Sequence, residues 1–383
     1  MTRSPSQKYI LGMSISSIYF WGAVSVPYLV YRGFSIGEAF SLLGIYSILV
    51  VILEFPTGVI GDLYGHKLSV NLSNITGVIT MFLLAQNLPH FAYYLVLTLG
   101  ALSSSMLSGS DDAILKKLSP NFNKDLGTYK SFSAFAAFAS VSIGGWLGKI
   151  NLTLPIYLTG IVWLIATAIV SAIPVDHHRL KGANIFSHSF LSIKLVLASL
   201  TLTGIIAYAG VNGGFAMSIK TIINSSAPVL GLDLGYIGLL VGFGLLCRSL
   251  GYKYAHTLSK LKNRYLYLAI VTILLAISWL PTDYFSLGLL GIINGLTAVV
   301  GIRADLLINS LIGDSVRASV LSLKNLMIRL FSGGYLFIAG SVIEGTTYRY
   351  LMFGTLVLYT IAGYYFVRLN GKQYVKAQTT VSS

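Results

Sequence analysis

Apolar residues in this chain fall into long runs of about span length, broken by short polar stretches that carry turn-forming residues. The runs lie near 9–30, 38–60, 68–88, 91–114, 129–150 and 154–173, then near 192–221, 233–254, 265–281, 284–311, 319–342 and 348–368. A helix needs about 20 mostly apolar residues to cross the hydrocarbon core of a bilayer. The breaks between runs, such as Asn87-Leu88-Pro89-His90, Asn151 to Pro155 and Pro281-Thr282-Asp283, are rich in helix-ending residues. The pattern therefore predicts an all-α membrane protein with twelve transmembrane helices.

Composition supports lipid as the solvent. Of 383 residues, 55% are apolar and 10% charged, with a mean hydropathy of +0.77. Soluble domains carry about a quarter charged residues. The net charge of +14 raises nucleic acid as a partner, but its distribution along the chain excludes that reading. With the N-terminus inside, inner segments hold 19 of the 26 Lys and Arg, while outer segments hold Arg32, Lys149, Lys220 and Arg349. This asymmetry is the topology signal of membrane insertion. It predicts a multi-pass protein of the cytoplasmic (inner) membrane with both termini cytoplasmic. The first apolar run is full span length with no small-residue cleavage site after it, so it reads as a retained helix.

Several chemistries are disfavoured. Cys247 is the sole cysteine, so there is no disulfide framework. The six histidines lie in loops or at span ends without metal-ligand spacing, and no G-x-x-x-x-G-K-[ST] loop exists for a nucleotide. No cofactor is expected, and a proton gradient is the expected energy source. The expected partners are a small-molecule substrate and the bilayer, with the chain acting as a monomer.

The polar stretch near 175–189 divides the runs into six and six. The expected organisation is a six-helix bundle over 1–174, a cytoplasmic linker over 175–190 and a second six-helix bundle over 191–383. The halves echo one another: Gly58 to Lys67 ends the second run and Gly251 to Lys260 the eighth, an offset of 193. Gly109 closes the fourth run and Gly301 the tenth, an offset of 192. Two agreeing offsets favour a duplicated unit, and repeats with a site between them are a common transporter plan.

The most specific segment runs Glu54-Phe-Pro-Thr-Gly-Val-Ile-Gly-Asp62-Leu-Tyr-Gly65-His66-Lys67. Glu54, Gly58 and Asp62 are spaced by four and share one helix face. The segment resembles the loop 2–3 signature of the major facilitator superfamily, G-x-x-x-D-x-x-G-[RK]-[RK]. Gly58, Asp62, Gly65 and Lys67 match it, and His66 stands where a basic residue is usual. Asn309 to Ser322, with Arg317, and Ser108 to Ala113, with Asp112, are similar to the span-ten/eleven and span-four patterns of its drug and metabolite efflux branch. The resemblance implies that fold, and a gating latch built by Asp62 with Asp112 and Lys67. The chain departs from the family's pattern in three places: Ala255 replaces the aspartate in the second-half loop, Val141 replaces the span-five proline ahead of Gly144-Gly145, and span four lacks the arginine that many proton-coupled relatives carry.

In that family spans one, four, seven and ten line the passage, which points to Trp21, Asp111, Asp112, Tyr208, Asn212, Asn294 and Asp305. Arg303 joins them as an intramembrane charge, because such groups are costly and mark function by default. Lys220 stands on the span-seven stripe, and Arg248 and Lys220 read either as cavity cations beside Arg303, which favour an anionic or zwitterionic solute, or as cations able to snorkel to the membrane faces. Small Ser and Thr on the same stripes serve helix packing equally well. The expected function is a secondary transporter exporting a small amphiphilic or anionic compound (a metabolite, drug or siderophore-like molecule) in exchange for protons. Uptake or facilitated diffusion of a small organic solute is the alternative. Proton coupling is expected to use Asp305 or the span-four acids.

Overall fold

The computed structural model describes residues 4–175, 199–258, 263–280, 283–312, 314–345 and 348–381. Among these residues the protein is helical, with no strands. The first part comprises α1 (Pro5–Ser16), a 3-10 turn (Phe20–Ala23), α2 (Ser25–Tyr31), α3 (Ile36–Tyr64), α4 (His66–Leu84), α5 (His90–Leu107), α6 (Ser110–Leu118), α7 (Phe122–Ile150) and α8 (Leu154–Ser171). The second comprises α9 (Leu200–Leu230), α10 (Leu234–Leu258), α11 (Asn263–Trp279), α12 (Tyr284–Leu311), α13 (Asp314–Gly345) and α14 (Tyr348–Val381). All of the expected 175–190 linker except Val175 lies outside the described residues.

Nine helices among the described residues are long and apolar enough to cross a membrane, or ten if α1, the 3-10 turn and α2 form one bent span. The start of α1 and the α3–α4 turn define one face of the helix array, here the proximal face. Arg32, Asn151 and Asp233 mark the opposite, distal face.

Three expected spans differ in form. The first is broken: its two pieces meet at 51°. In lipid such a break persists only if other groups satisfy the freed backbone, and here they do. The Tyr19 N–H donates to Ser140 Oγ at 3.1 Å and the Trp21 N–H to Thr159 Oγ1 at 3.3 Å. The Trp163 indole donates to the Ile18 carbonyl at 2.8 Å. The fourth span is interrupted at Ser108-Gly109, where Gly109 takes φ 76° and α6 restarts the helix. The seventh runs on to Leu230 and stops at Gly231, whose φ of 63° is the left-handed glycine cap. Asn224, Ser225 and Ser226 read as a loop in the sequence, yet all three are buried inside α9.

Helices up to α8 pack mainly on one another, as do those from α9 onward, and the groups meet along two main seams, α3 with α13 and α7 with α10. Under the sequence offset, second-span α3 corresponds to eighth-span α10, and fifth-span α7 to eleventh-span α13. The two seams are therefore counterparts. Both are backbone-to-backbone: a Cβ on Gly238 would lie 2.7 Å from the Gly145 Cα, and one on Gly340 would lie 2.7 Å from the Gly37 carbonyl oxygen. Helices approach this closely in membranes only where residues are small. Gly145→Leu should force the α7–α10 seam apart. The expected cost, about 1–3 kcal/mol from overpacking, would be read as a lowered unfolding midpoint in detergent, with Leu147→Ala on the same helix as control.

Candidate functional site

A cavity of about 180 Å3 lies between the two helix groups. The first group lines it through Trp21 and Ser25 of the broken span, Tyr46 and Ser47 of α3, Ser104 of α5 and Trp163 of α8. The second group contributes Met217, Lys220 and Thr221 of α9 with Ser332 and Leu336 of α13. A larger cleft of about 560 Å3 is bounded by α1 and α7 alone, so it does not lie between the groups.

Many of the hydroxyls lining the cavity are already engaged. Ser47 donates to the Leu43 carbonyl at 3.1 Å, Thr80 to Thr76 at 2.7 Å and Ser103 to Ser73 at 2.7 Å. Tyr46 and Ser104 hydrogen-bond each other across the cavity wall, as do Ser332 and Ser218 at 3.1 Å. Hydroxyls engaged in this way are less available to a ligand.

On the distal side several contacts close the space above the cavity. The Asn224 side-chain amide donates to the Gly22 carbonyl at 2.8 Å and to Ser25 Oγ at 3.1 Å, tying α9 to the broken span. At the rim, Lys149 of α7 pairs with Asp233, just before α10, at 2.7 Å, and the ammonium also lies 4.8 Å from the Trp146 ring centre. The hydrogen bond from Lys149 holds the Asp233 carboxyl below the usual aspartate range, helped by the backbone N–H groups of Gly235 and Tyr236. Towards the proximal face, Gly58, Gly109 and Gly127 have nothing within 4 Å of a built Cβ.

Of the eight residues assigned to the passage from sequence, Trp21 lines this cavity and the other seven stand elsewhere. Tyr208 and Asn212 point into the second helix group. Tyr208 shares a hydrogen bond with Tyr359 at 3.1 Å, Tyr359 donates to Asn212 Oδ1 at 2.7 Å, and Asn212 donates to the Thr297 carbonyl at 2.9 Å. Asn294 donates to the Gly244 carbonyl at 3.2 Å, joining α12 to α10. Arg303 is 6% exposed and packed within the same group.

The span-four acids also have partners near the proximal face. Asp111 accepts from the Tyr129 hydroxyl at 3.0 Å, and Asp112 pairs with Lys130 at 3.1 Å; both partners are on α7. Asp305, expected to face the passage, instead forms an ion pair with Lys324 of α13. Glu54 accepts from Ser108 Oγ at 2.7 Å, across the α5–α6 break.

The gating segment is described in part. Gly65 ends α3 with φ 99°, a conformation that favours glycine, and the His66 ring lies 3.4 Å from Ser110 Oγ. The side chains of Asp62 and Arg317 lie outside the described residues.

Lys220 is the candidate that the sequence reading left open between the span-seven stripe and the outer membrane face. Ending the seventh span near 221 put it in an outer segment. The continuous helix to Gly231 sets it ten residues, about 15 Å at 1.5 Å per residue, from the helix end. It lines the cavity with its ammonium 5.3 Å from the Tyr19 ring centre. Gly231 as a helix stop was the available signal. Arg248, by contrast, bonds Tyr252 one turn nearer the proximal face at 3.0 Å, in keeping with snorkelling.

The cavity thus lies between two helix groups that meet along glycine seams and are tied to each other on the distal side. Residues 9–335 match the family profile of the Major Facilitator Superfamily, and the chain belongs to that family. No curated protein matches the sequence. Solved structures of the same fold include a variant of the nucleoside transporter NupG (TM-score 0.77, 14% identity, covering 96% of this chain and 100% of that one). A bacterial homologue of the human lysosomal transporter Spinster, in an inward-facing and unoccupied conformation, matches at TM-score 0.71 with 13% identity (96% and 98% covered). A D-xylose–proton symporter matches at TM-score 0.68 with 13% identity (94% of each chain).

Two predictions follow from the ion pairs. The rim pair is present at pH values above the usual aspartate pKa of about 3.9 and is lost as pH falls through the lowered Asp233 value. Lys149→Glu should therefore lengthen spin-label distances between Asn151→Cys and Leu232→Cys in a Cys247→Ser background. Adding Asp233→Lys should shorten them again, and acidification of the unmutated pair below the lowered Asp233 value should act like Lys149→Glu. At the inner pair, Asp305→Ala leaves the Lys324 ammonium without its carboxylate. It should lower stability by about 1–2 kcal/mol, less than for a fully buried pair because the Asp305 side chain is 38% accessible. Lys324→Met in the same chain should recover most of that loss, as read by thermal unfolding.

Proposed function

We propose that this protein is a proton-coupled secondary transporter that exports a small amphiphilic or anionic organic compound by alternating access. The observation that supports it most directly is the cavity between the two helix groups, joined on the distal side through Asn224 and Lys149–Asp233. In this reading α11 and α14 cross the membrane too, giving twelve spans. Bundles 1–174 and 191–383 rock about the two glycine seams, with 175–190 as the linker between them. The proximal face is cytoplasmic, both termini lie inside, and the monomer sits in the inner membrane.

The gating role belongs to Gly58, Asp62, Gly65, His66 and Lys67 with Asp112 and Arg317, on the strength of the motif. The Asp112–Lys130 and Asp305–Lys324 pairs suit groups that exchange partners as the bundles move. Buried carboxylates such as Asp111 suit proton uptake and release, since burial disfavours their charged form.

Uptake is the second reading, favoured by the D-xylose–proton symporter among the proteins of like fold. Inside-out vesicles with an imposed pH gradient, acidic inside, separate the two. An exporter should accumulate its solute in the lumen and release protons, with Asp111→Asn lowering the rate at least tenfold. Solute leaving the vesicles with the gradient would establish uptake, and flux indifferent to the gradient would remove proton coupling.

A further inference from the structure

Lys220 is an intramembrane cation facing a cavity that no carboxylate lines. The chain has 12 Asp and Glu against 26 Lys and Arg. The acids nearest in role are committed elsewhere: Asp305 to Lys324, Asp112 to Lys130 and Asp233 to Lys149. Among the described residues no carboxylate pairs with Lys220; its recorded neighbour is the face of Tyr19. A cation–π contact offsets part of the cost of taking an ammonium out of water. It does not replace the two or three hydrogen bonds that an ammonium requires. A cation held in this way in a low-dielectric site is a receptor waiting for an anion.

The rest of the wall says what kind of anion. Trp21 and Trp163 present flat apolar surface, and Tyr46 and Ser104 are already bonded to each other, so the wall offers few free donors besides the ammonium. A polyol or sugar, which needs many directed hydrogen bonds, is poorly served. A planar ring with one acidic group matches both features. The cavity is small, about 180 Å3, which favours a compact ligand.

We infer that Lys220 is the anion-recognition residue of this cavity and that its ligand is a small aromatic monocarboxylate or an equally compact planar monoanion. The inference rests on the transporter reading for its purpose, but the binding site can be tested without transport. Trp21 and Trp163, two of the protein's four tryptophans, line the cavity and report on occupancy.

The full chain, purified in lipid nanodiscs, is titrated with benzoate, benzamide and benzylammonium, which share a ring and differ in charge. Benzoate should quench tryptophan fluorescence saturably, with an apparent affinity at least tenfold above that of benzamide, and benzylammonium should have no effect. Lys220→Gln should abolish the preference for benzoate over benzamide, and Lys220→Arg should retain it. Benzamide or benzylammonium binding as well as benzoate, or benzoate affinity unchanged in Lys220→Gln, would overturn the assignment. So would the absence of any saturable response to benzoate. The charge series on the unsubstituted protein decides the matter even if Lys220→Gln does not fold. Labelled benzoate flux in vesicles is read separately. Lys220-dependent binding without flux would defeat the transporter reading and leave the site standing. Flux of a cationic solute untouched by Lys220→Gln would do the reverse.

Discussion

The architecture depends on the requirement that every backbone N–H and C=O within the bilayer find a partner inside the protein. Unbroken helices meet it by themselves, and most of this protein consists of them. The first span meets it differently. Its helix stops at Ser16, and side chains from α7 and α8 take over the freed groups: Ser140, Thr159 and Trp163 each bond a backbone atom between Ile18 and Trp21. This substitution allows the chain to bend at mid-membrane and turn Trp21 towards the cavity. The wall of the site is thus a product of how the break is satisfied.

The second organising feature is close backbone approach. Both seams between the helix groups use glycine against glycine, at Gly145–Gly238 and at Gly37–Gly340. Such contacts have little side-chain interdigitation to unlock, which suits surfaces that must tilt against each other. Among the described residues, the polar ties between the groups named above lie at the distal end, through Asn224 and through Lys149 with Asp233. In the proposed rocking motion the seams would serve as the pivot, and the ties would favour one position of it.

Much of this was legible in the sequence. Run length and turn residues located most spans to within a few residues, and the charge asymmetry and the Gly58–Lys67 segment pointed to the family. What the sequence concealed follows one physical pattern: polar residues inside a span look like loops. Asn224-Ser225-Ser226 shortened the expected seventh span and left Lys220 open between the passage and a membrane face, although those residues are buried and bonded to nearby backbone or to the first span. Conversely, the helix-face stripes suggested Tyr208, Asn212, Asn294 and Asp305 for the passage. Periodicity shows that residues share a face but not which neighbour that face meets. Here the neighbours are α14, α12, α10 and α13.

The Lys149–Asp233 pair lies partly exposed at the distal rim, with side chains 41% and 32% accessible. A pair in that position is weakened by dissolved ions, whose screening length is about 8 Å at physiological ionic strength. The deeper ties through Asn224 are shielded from those ions. Closure on this side accordingly combines an inner fastening insensitive to the medium with an outer one that responds to it, so the protein's resting shape is adjusted by the saltiness and acidity of the compartment that the rim faces.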